Sequence, residues 1–335
     1  MATAARLTHA IAERAVTLPG TGRIAVFAPR AETDLSALPK ERVQVLTTFK
    51  PDHDHFASLG YDCAVAPEGR YAAAIVCLPR AKALTRATLA LAASVTDGPV
   101  IVDGAKTDGI ESILRDCRRR MTVGTPMSKA HGKVFAIEAG TDLTDWATSE
   151  PRTIEGGYMT APGVFSADAI DPASDMLARN LPPKLGAHVV DLGAGWGYLS
   201  ANALTRASIE QIDLVEADHA ALACARTNVT DPRARFHWAD ATRWQGEARA
   251  DSIIMNPPFH ESRSADPDLG RGFIRAAAGM LKPSGALWMV ANRHLPYETT
   301  LAECFASVSE VAGDTKFKIL HATRPARQLR QNRLD

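Results

Sequence analysis

Residues 189–197 read Val189-Val190-Asp191-Leu192-Gly193-Ala194-Gly195-Trp196-Gly197, and this stretch decides the fold. An apolar run ends in an acid and passes into alternating glycines. A strand feeding a glycine turn, with a helix beginning near Tyr198, is the opening of a βαβ unit. Glycine permits positive φ and lets a ligand lie against the backbone. The start of the helix offers N–H groups with no partner inside it. Glycine turns also serve plain structural ends, so the surroundings must carry the reading. Glu216 supplies them: it closes the next apolar run, Ile212–Glu216, 19 residues after Gly197. A carboxylate there can accept hydrogen bonds from both hydroxyls of a ribose.

Working outward, short β-rich runs alternate with segments of helical pattern along the whole chain, the mark of an α/β protein with a mostly parallel sheet. The second half offers strands at His188–Leu192, Ile212–Glu216, Ala234–Trp238, Ser252–Met255, Ala286–Ala291 and Phe317–Ala322. Asp218 can cap a helix over Asp218–Asn228, and Gly279–Gly285 reads as a helix end and turn. The first half repeats the layout. Arg23–Ala28 and Val43–Thr47 look like strands, and Ala72–Leu78 runs into Cys77-Leu78-Pro79-Arg80 much as the later run enters Asn256-Pro257-Pro258-Phe259. Gly98–Val102 resembles Gly285–Met289, Cys117 falls where Cys304 falls, and Gly132–Phe135 resembles Thr315–Lys318. A repeat of half the chain implies two similar domains. The polar region 141–160, with Pro151 and Gly156-Gly157, reads as the linker.

The loop spacing is G-x-G-x-G, whereas a dinucleotide usually asks for G-x-G-x-x-G. Asp191 stands just before it. An acid there repels a pyrophosphate but can hold a cationic amino group. S-adenosylmethionine has an ammonium, a ribose diol and no phosphate, so the local chemistry favours it over NAD. Asp240, after the run Ala234–Trp238, can bond an adenine amino group or simply cap a turn.

The run Ser252–Met255 ends in Asn256-Pro257-Pro258-Phe259-His260. Two prolines can be mere strand stops. In an open α/β sheet, however, ligands bind beyond the carboxyl ends of the strands, which puts Asn256 on the edge shared by Asp191, Glu216 and Asp240. The Asn256 side-chain oxygen and the Pro257 carbonyl are both acceptors, and proline stiffens the second. Together they can grip both hydrogens of one –NH₂ and turn its lone pair toward an electrophile. Phe259 offers a face on which a base can stack. The chemistry needs positioning more than a strong base, and a base in a duplex must first be flipped out.

With these residues in hand, the chain resembles the class I S-adenosylmethionine-dependent methyltransferases, and more narrowly the bacterial ribosomal RNA guanine-N2 methyltransferases of the small-subunit type. The likeness rests on Pro162-Gly163-Val164-Phe165-Ser166, the 191–197 loop, Asn256-Pro257-Pro258-Phe259-His260, Val290-Ala291-Asn292 with Leu295-Pro296-Tyr297, and Lys316-Phe317-Lys318. It implies two tandem Rossmann-like methyltransferase domains. The N-terminal one, 1–145, would be degenerate and serve RNA docking or folding support. The catalytic one, 155–324, would have a seven-stranded, mostly parallel sheet with an antiparallel final hairpin, followed by a basic tail, 325–335. S-adenosylmethionine would be held by Phe165, Asp191, Gly193, Gly195, Gly197, Glu216, Asp240 and Asn256, with Asn256, Pro257, Pro258 and Phe259 carrying catalysis. The first half lacks these tools: Thr47 stands near the place of Glu216, Cys77-Leu78-Pro79 replaces the Asn-Pro-Pro, and Arg23–Pro29 has no glycine loop. The implied reaction is methylation of a guanine N2 in ribosomal RNA, most simply 16S RNA, free or in an assembling small subunit. The Asn-Pro-Pro-Phe chemistry itself leaves open a large-subunit guanine, adenine N6 in tRNA or DNA, a protein glutamine, or a non-catalytic RNA-binding assembly factor with a relic site.

Composition limits the rest. With 38 basic and 38 acidic residues in a chain of 335, no global charge argues for nucleic acid, so contact with RNA falls to local patches. The densest are Arg118-Arg119-Arg120 and the tail residues Arg324, Arg327, Arg330 and Arg333, which share one ridge if helical. Five scattered cysteines without CxxC spacing fit a reducing cytoplasm and exclude a disulfide framework. His53 and His55 lack a third ligand, so they read as a polar loop, with no metal. Neither a secretory signal nor a membrane span is apparent. A cytoplasmic monomer is the expectation.

Overall fold

Apolar runs buried on both faces require helices on both sides of a sheet, and the chain supplies them twice. The computed structural model describes residues 5–147, 151–258 and 267–326, and the chain divides into the units Met1–Glu150 and Pro151–Asp335. The first unit contains strands β1 (Ile24–Phe27), β2 (Val43–Leu46), β3 (Asp62–Ala64), β4 (Ala73–Cys77), β5 (Val100–Ala105), β6 (Met127–Lys129) and β7 (Gly132–Ile137). Its helices are α1 (Ala5–Ala12), α2 (Lys50–Ser58), α3 (Lys82–Val95) and α4 (Ile110–Arg118). The second unit opens with a short hairpin, β8 (Arg152–Thr153) and β9 (Met159–Thr160). Strands β10 (His188–Leu192), β11 (Gln211–Glu216), β12 (Ala234–Trp238), β13 (Ala250–Met255), β14 (Leu281–Asn292), β15 (Phe305–Gly313) and β16 (Phe317–Pro325) follow. Its helices are α5 (Pro172–Asn180), α6 (Tyr198–Ala203), α7 (His219–Asn228), α8 (Pro267–Met280) and α9 (Glu298–Cys304).

Each unit has a seven-stranded sheet, ordered β3-β2-β1-β4-β5-β7-β6 and β12-β11-β10-β13-β14-β16-β15. Counted in order of appearance within its sheet, each is 3-2-1-4-5-7-6. The first five strands run parallel, and the last two close the sheet antiparallel. Side chains alternate across the central strands. Val190 and Leu192 join the cluster with Phe273 and Ile274 of α8, whereas Val189 joins Leu177 and Leu199 of α5 and α6.

The strand register aligns the halves residue by residue. Val26 pairs with Ile75 as Asp191 pairs with Ile254, so Val26 occupies the place of Asp191. Phe27 pairs with Leu46 as Leu192 pairs with Val215, which sets Thr47 at the place of Glu216 and Cys77 at that of Asn256. The Ala28 N–H bonds the Leu46 carbonyl at 2.8 Å, as Gly193 N–H bonds Val215 at 2.9 Å. Ala28 even keeps a left-handed φ of +52°. Beside Cys77 the first unit buries an Arg6–Asp103 ion pair, with side chains 4% and 8% exposed. The alignment of the last strands slips from the sequence comparison: Ala105 pairs with Gly132 as Asn292 pairs with Phe317, so Gly132 matches Phe317, two residues past Thr315.

Two sequence readings need correction. Lys282–Gly285 is not a turn before the strand, because β14 already begins at Leu281, opposite Ala250. Its register breaks and resumes at Ala286 opposite Ser252, while Lys282 Nζ bonds Asp251 Oδ1 at 2.7 Å. His53 and His55 lie in α2, a helix with proline in its first turn and Phe56 as its buried contact, rather than in a loop. Among the described residues no cluster of His, Cys, Asp or Glu could hold a metal, and no helix is long and apolar enough to cross a membrane.

Candidate active site

Strands β10, β11, β12 and β13 are parallel neighbours, so their carboxyl ends share one edge. The glycine loop begins there. Gly193, Gly195 and Gly197 have φ of +74°, +54° and +90°. At two of them a side chain is also crowded out by the fold: an added Cβ would lie 3.2 Å from Phe273 at Gly193 and 2.9 Å from Val229 at Gly197. At Gly195 it would meet no described residue within 4 Å. Gly195 is therefore the position where the backbone lies open to a ligand.

Two carboxyl groups flank this loop. Glu216 accepts the Gly195 N–H at 2.7 Å on Oε2 and the Asp218 N–H at 2.8 Å on Oε1. Burial raises its pKa, and these backbone donors work against that rise. A carboxylate has about four acceptor sites, more than these donors fill, which leaves room for a ligand hydroxyl. Asp191 is fully buried. Its Oδ2 accepts the Ser200 hydroxyl at 2.7 Å, while Oδ1 has no partner among the described residues. Burial pushes this carboxyl up to about 7; the Ser200 hydroxyl opposes the shift and the Glu216 charge adds to it. An orphaned buried carboxylate oxygen is costly. A cationic group that completes it, beside an open glycine and a diol acceptor, is the chemistry of S-adenosylmethionine, and these residues fit that molecule.

Asp240 shows its turn role directly. Oδ1 accepts the Thr242 N–H at 2.8 Å and the Thr242 hydroxyl at 2.6 Å, and its carbonyl starts the turn to Trp244. Oδ2 lies 3.7 Å from Arg243. Trp196 points away from the open side of the loop. It is buried, packs against Val164, Ala221 and Cys224 and against the rings of Tyr158 and Tyr198, and donates its indole N–H to the Phe165 carbonyl at 3.0 Å. That bond ties residues 162–166 to the glycine loop, with Phe165 itself 53% exposed.

Asn256 follows the last residue of β13. Its Nδ2 donates to Asp171 Oδ2 and to Ser174 Oγ, both at 2.9 Å. With both amide hydrogens used, the amide cannot turn over, and Oδ1 is left as the acceptor. Pro257, next in the chain, is buried and Pro258 exposed. Phe259 and His260 lie outside the described residues. Asp171 and Ser174 escaped the sequence reading. An acid followed by Pro172 reads only as a helix cap, which it is: Asp171 Oδ2 also accepts the Ser174 N–H at 2.8 Å.

The other motif residues are structural ties. The buried Lys318 amine bonds the Leu295 carbonyl at 2.9 Å and pairs with Glu298, which fixes the Leu295-Pro296-Tyr297 stretch to β16. Of the basic patches, Arg120 is paired with Asp145 and set against the Trp146 ring. Arg324 is exposed on a strand, not on a helical ridge, and Arg327, Arg330 and Arg333 lie outside the described residues.

Comparisons with known proteins agree on one family. The methyltransferase small domain model matches residues 155–321. The chain is 32% identical over 257 residues to "Ribosomal RNA small subunit methyltransferase C" of Shewanella pealeana, covering 73% of this chain and 75% of that protein. It is 26% identical over 330 residues to the protein of that name from Hahella chejuensis, covering 91% and 95%. Among solved structures it is similar to the T. thermophilus 16S rRNA N2 G1207 methyltransferase (RsmC) in complex with AdoMet and guanosine. The TM-score is 0.78 at 25% identity, over 92% of this chain and 90% of that one.

Proposed function

This chain belongs to the ribosomal RNA small subunit methyltransferase C family, and from that premise we infer that it methylates the exocyclic N2 of a guanine in small-subunit ribosomal RNA, with S-adenosylmethionine as donor. The observation that carries the site assignment is the pinned amide of Asn256, whose Oδ1 is left as a fixed acceptor. When bound, S-adenosylmethionine supplies an electrophilic methyl on a sulfonium. Asp191 Oδ1 would take its ammonium, Glu216 its ribose hydroxyls, Gly195 would leave room for it, and Phe165 and Asp240 would flank it.

The acceptor pair performs the other half of the chemistry. A guanine amine is conjugated with its ring, and its lone pair is a poor nucleophile. Asn256 Oδ1 and the Pro257 carbonyl accept its two hydrogens and hold them, so that the lone pair points where the methyl lies. Fixed acceptors of this kind act by orientation and electrostatics and need no general base. Phe259 would stack on the base. The first unit, with Val26, Thr47 and Cys77 at the register positions of Asp191, Glu216 and Asn256, would serve RNA docking or folding support. Replacing Asn256 with Ala tests the reading. Methyl transfer to small-subunit RNA is expected to fall by a factor on the order of 100 or more, with cofactor binding reduced much less; full retained transfer refutes the role of Asn256.

A further inference from the structure

We propose that Asp171 reads the N1–H of the target base, and so makes the site select guanine among purines bearing an amine; this rests on the methyl-transfer reading above. Asp171 and Asn256 are 85 residues apart in sequence and joined by the 2.9 Å bond between Asn256 Nδ2 and Asp171 Oδ2. Oδ2 is further occupied by the Ser174 N–H at 2.8 Å. Oδ1 receives no hydrogen bond from any described residue, and the side chain is half-buried rather than sealed. The amide whose oxygen takes the amine and the carboxylate whose Oδ1 takes nothing from the described residues are thus joined directly, Nδ2 to Oδ2. An amine seated on Asn256 Oδ1 brings an adjoining ring atom of its base toward Asp171.

The chemistry of that neighbouring atom decides which base is tolerated. In guanine the amine lies between N1–H, a donor, and N3, an acceptor. An ionised carboxylate only accepts. It therefore favours the orientation with N1–H on Oδ1, a charge-assisted bond, and opposes the one with N3 there. In adenine the amine is flanked by N1 and by the N7 side, both acceptors, so neither orientation gives Asp171 a partner. Adenine would leave a carboxylate facing a lone pair, and a site built around a hydrogen bond rejects the analogue that lacks it. Asn256 and Pro257 recognise an amine. Asp171 adds the discrimination between the purines that carry one.

The probes are guanosine, 2-aminopurine riboside, which keeps the amine but has an acceptor at N1, and inosine, which keeps N1–H but lacks the amine. Binding to the full chain is measured with saturating S-adenosylmethionine. The wild type is expected to prefer guanosine over 2-aminopurine riboside by about 10- to 100-fold. Asp171→Asn keeps a good helix cap and can still accept from Ser174 and Asn256, while turning –NH₂ toward the base. Its preference is expected to shrink below about 3-fold or to invert. Ser174→Ala, which loosens Asn256 but keeps the carboxylate, is expected to weaken both nucleosides and leave their ratio intact. A wild-type ratio near one, or equal losses for both nucleosides in Asp171→Asn, overturns the assignment. If Asp171→Asn does not fold, the wild type decides: inosine, which keeps only the N1 contact, should lose less affinity relative to guanosine than purine riboside, which lacks both the amine and N1–H, and equal binding of inosine and purine riboside overturns the proposal. Failure of the reading beneath it looks different: guanosine is bound with full preference, yet RNA incubated with the protein gains no N2-methylguanosine by mass spectrometry.

Discussion

Lowering the pH from 8 to 6 should weaken S-adenosylmethionine binding through Asp191. The carboxyl is buried, has one oxygen without a partner among the described residues, and is pushed up to about 7. A cation needs the ionised form. As pH falls through about 7 the empty site takes up a proton that the ligand must displace, so affinity is present above that pH and lost below it. With a midpoint at about 7, the ionised fraction falls from about 0.9 at pH 8 to about 0.1 at pH 6, a tenfold loss worth about 1.4 kcal/mol. The ammonium of the ligand itself titrates near the upper end of this range. The informative quantity is therefore the difference in slope between the wild type and Asp191→Asn, which removes the charge at nearly constant size. Calorimetry in two buffers of different ionisation enthalpy should detect about half a proton more released per ligand at pH 7 for the wild type than for the variant. A wild-type affinity flat from pH 6 to 8, or the same slope in both proteins, would refute the argument.

Other outcomes follow from the same geometry. Gly195→Ala places a methyl where no described residue lies within 4 Å, at φ +54°. Stability should fall by only about 1–2 kcal/mol, whereas titration calorimetry should show a disproportionate loss of cofactor affinity. Trp196→Ala removes a buried ring and the donor to the Phe165 carbonyl. Denaturant unfolding should show the second unit less stable by about 3–5 kcal/mol. His188 is raised by its 2.6 Å bond to Asp213, whose own carboxyl is held well below the usual range although burial pulls it up. The imidazolium contribution is complete below the ordinary histidine pKa and is lost as pH rises through the raised one. Thermal midpoints should therefore drop more between pH 6 and 8 in the wild type than in Asp213→Asn, since Asp213 stays ionised throughout that window.

The sheet was readable from apolar runs, as where His188–Leu192 coincides with β10, and from alternation, as where Ala234, Phe236 and Trp238 mark β12. It was unreadable where burial is slight. β15 is exposed along most of its length and shows no apolar run, so it appeared only through the final hairpin that the family resemblance implies. Lys282–Gly285 misled because lysine, proline and glycine signal a turn, and nothing local tells a turn from a register break inside a strand. In the site, the glycines and Glu216 declared themselves because their chemistry is tied to a strand end. Asp171 and Ser174 did not, since capping a helix and locking an amide across 85 residues leave the same local trace.

The lock on Asn256 has a consequence for when ordering occurs. A free asparagine amide exchanges its two ends by rotation, and a site relying on it must settle that choice each time a base arrives. Here Asp171 and Ser174 settle it as the chain folds. The acceptor is preorganised, and a flipped base meets a receptor whose entropy of orientation has already been lost. Under the proposed role of Asn256, what is left to settle before methyl transfer is the exit of the nucleotide from its stack, so local RNA structure would set access to the site.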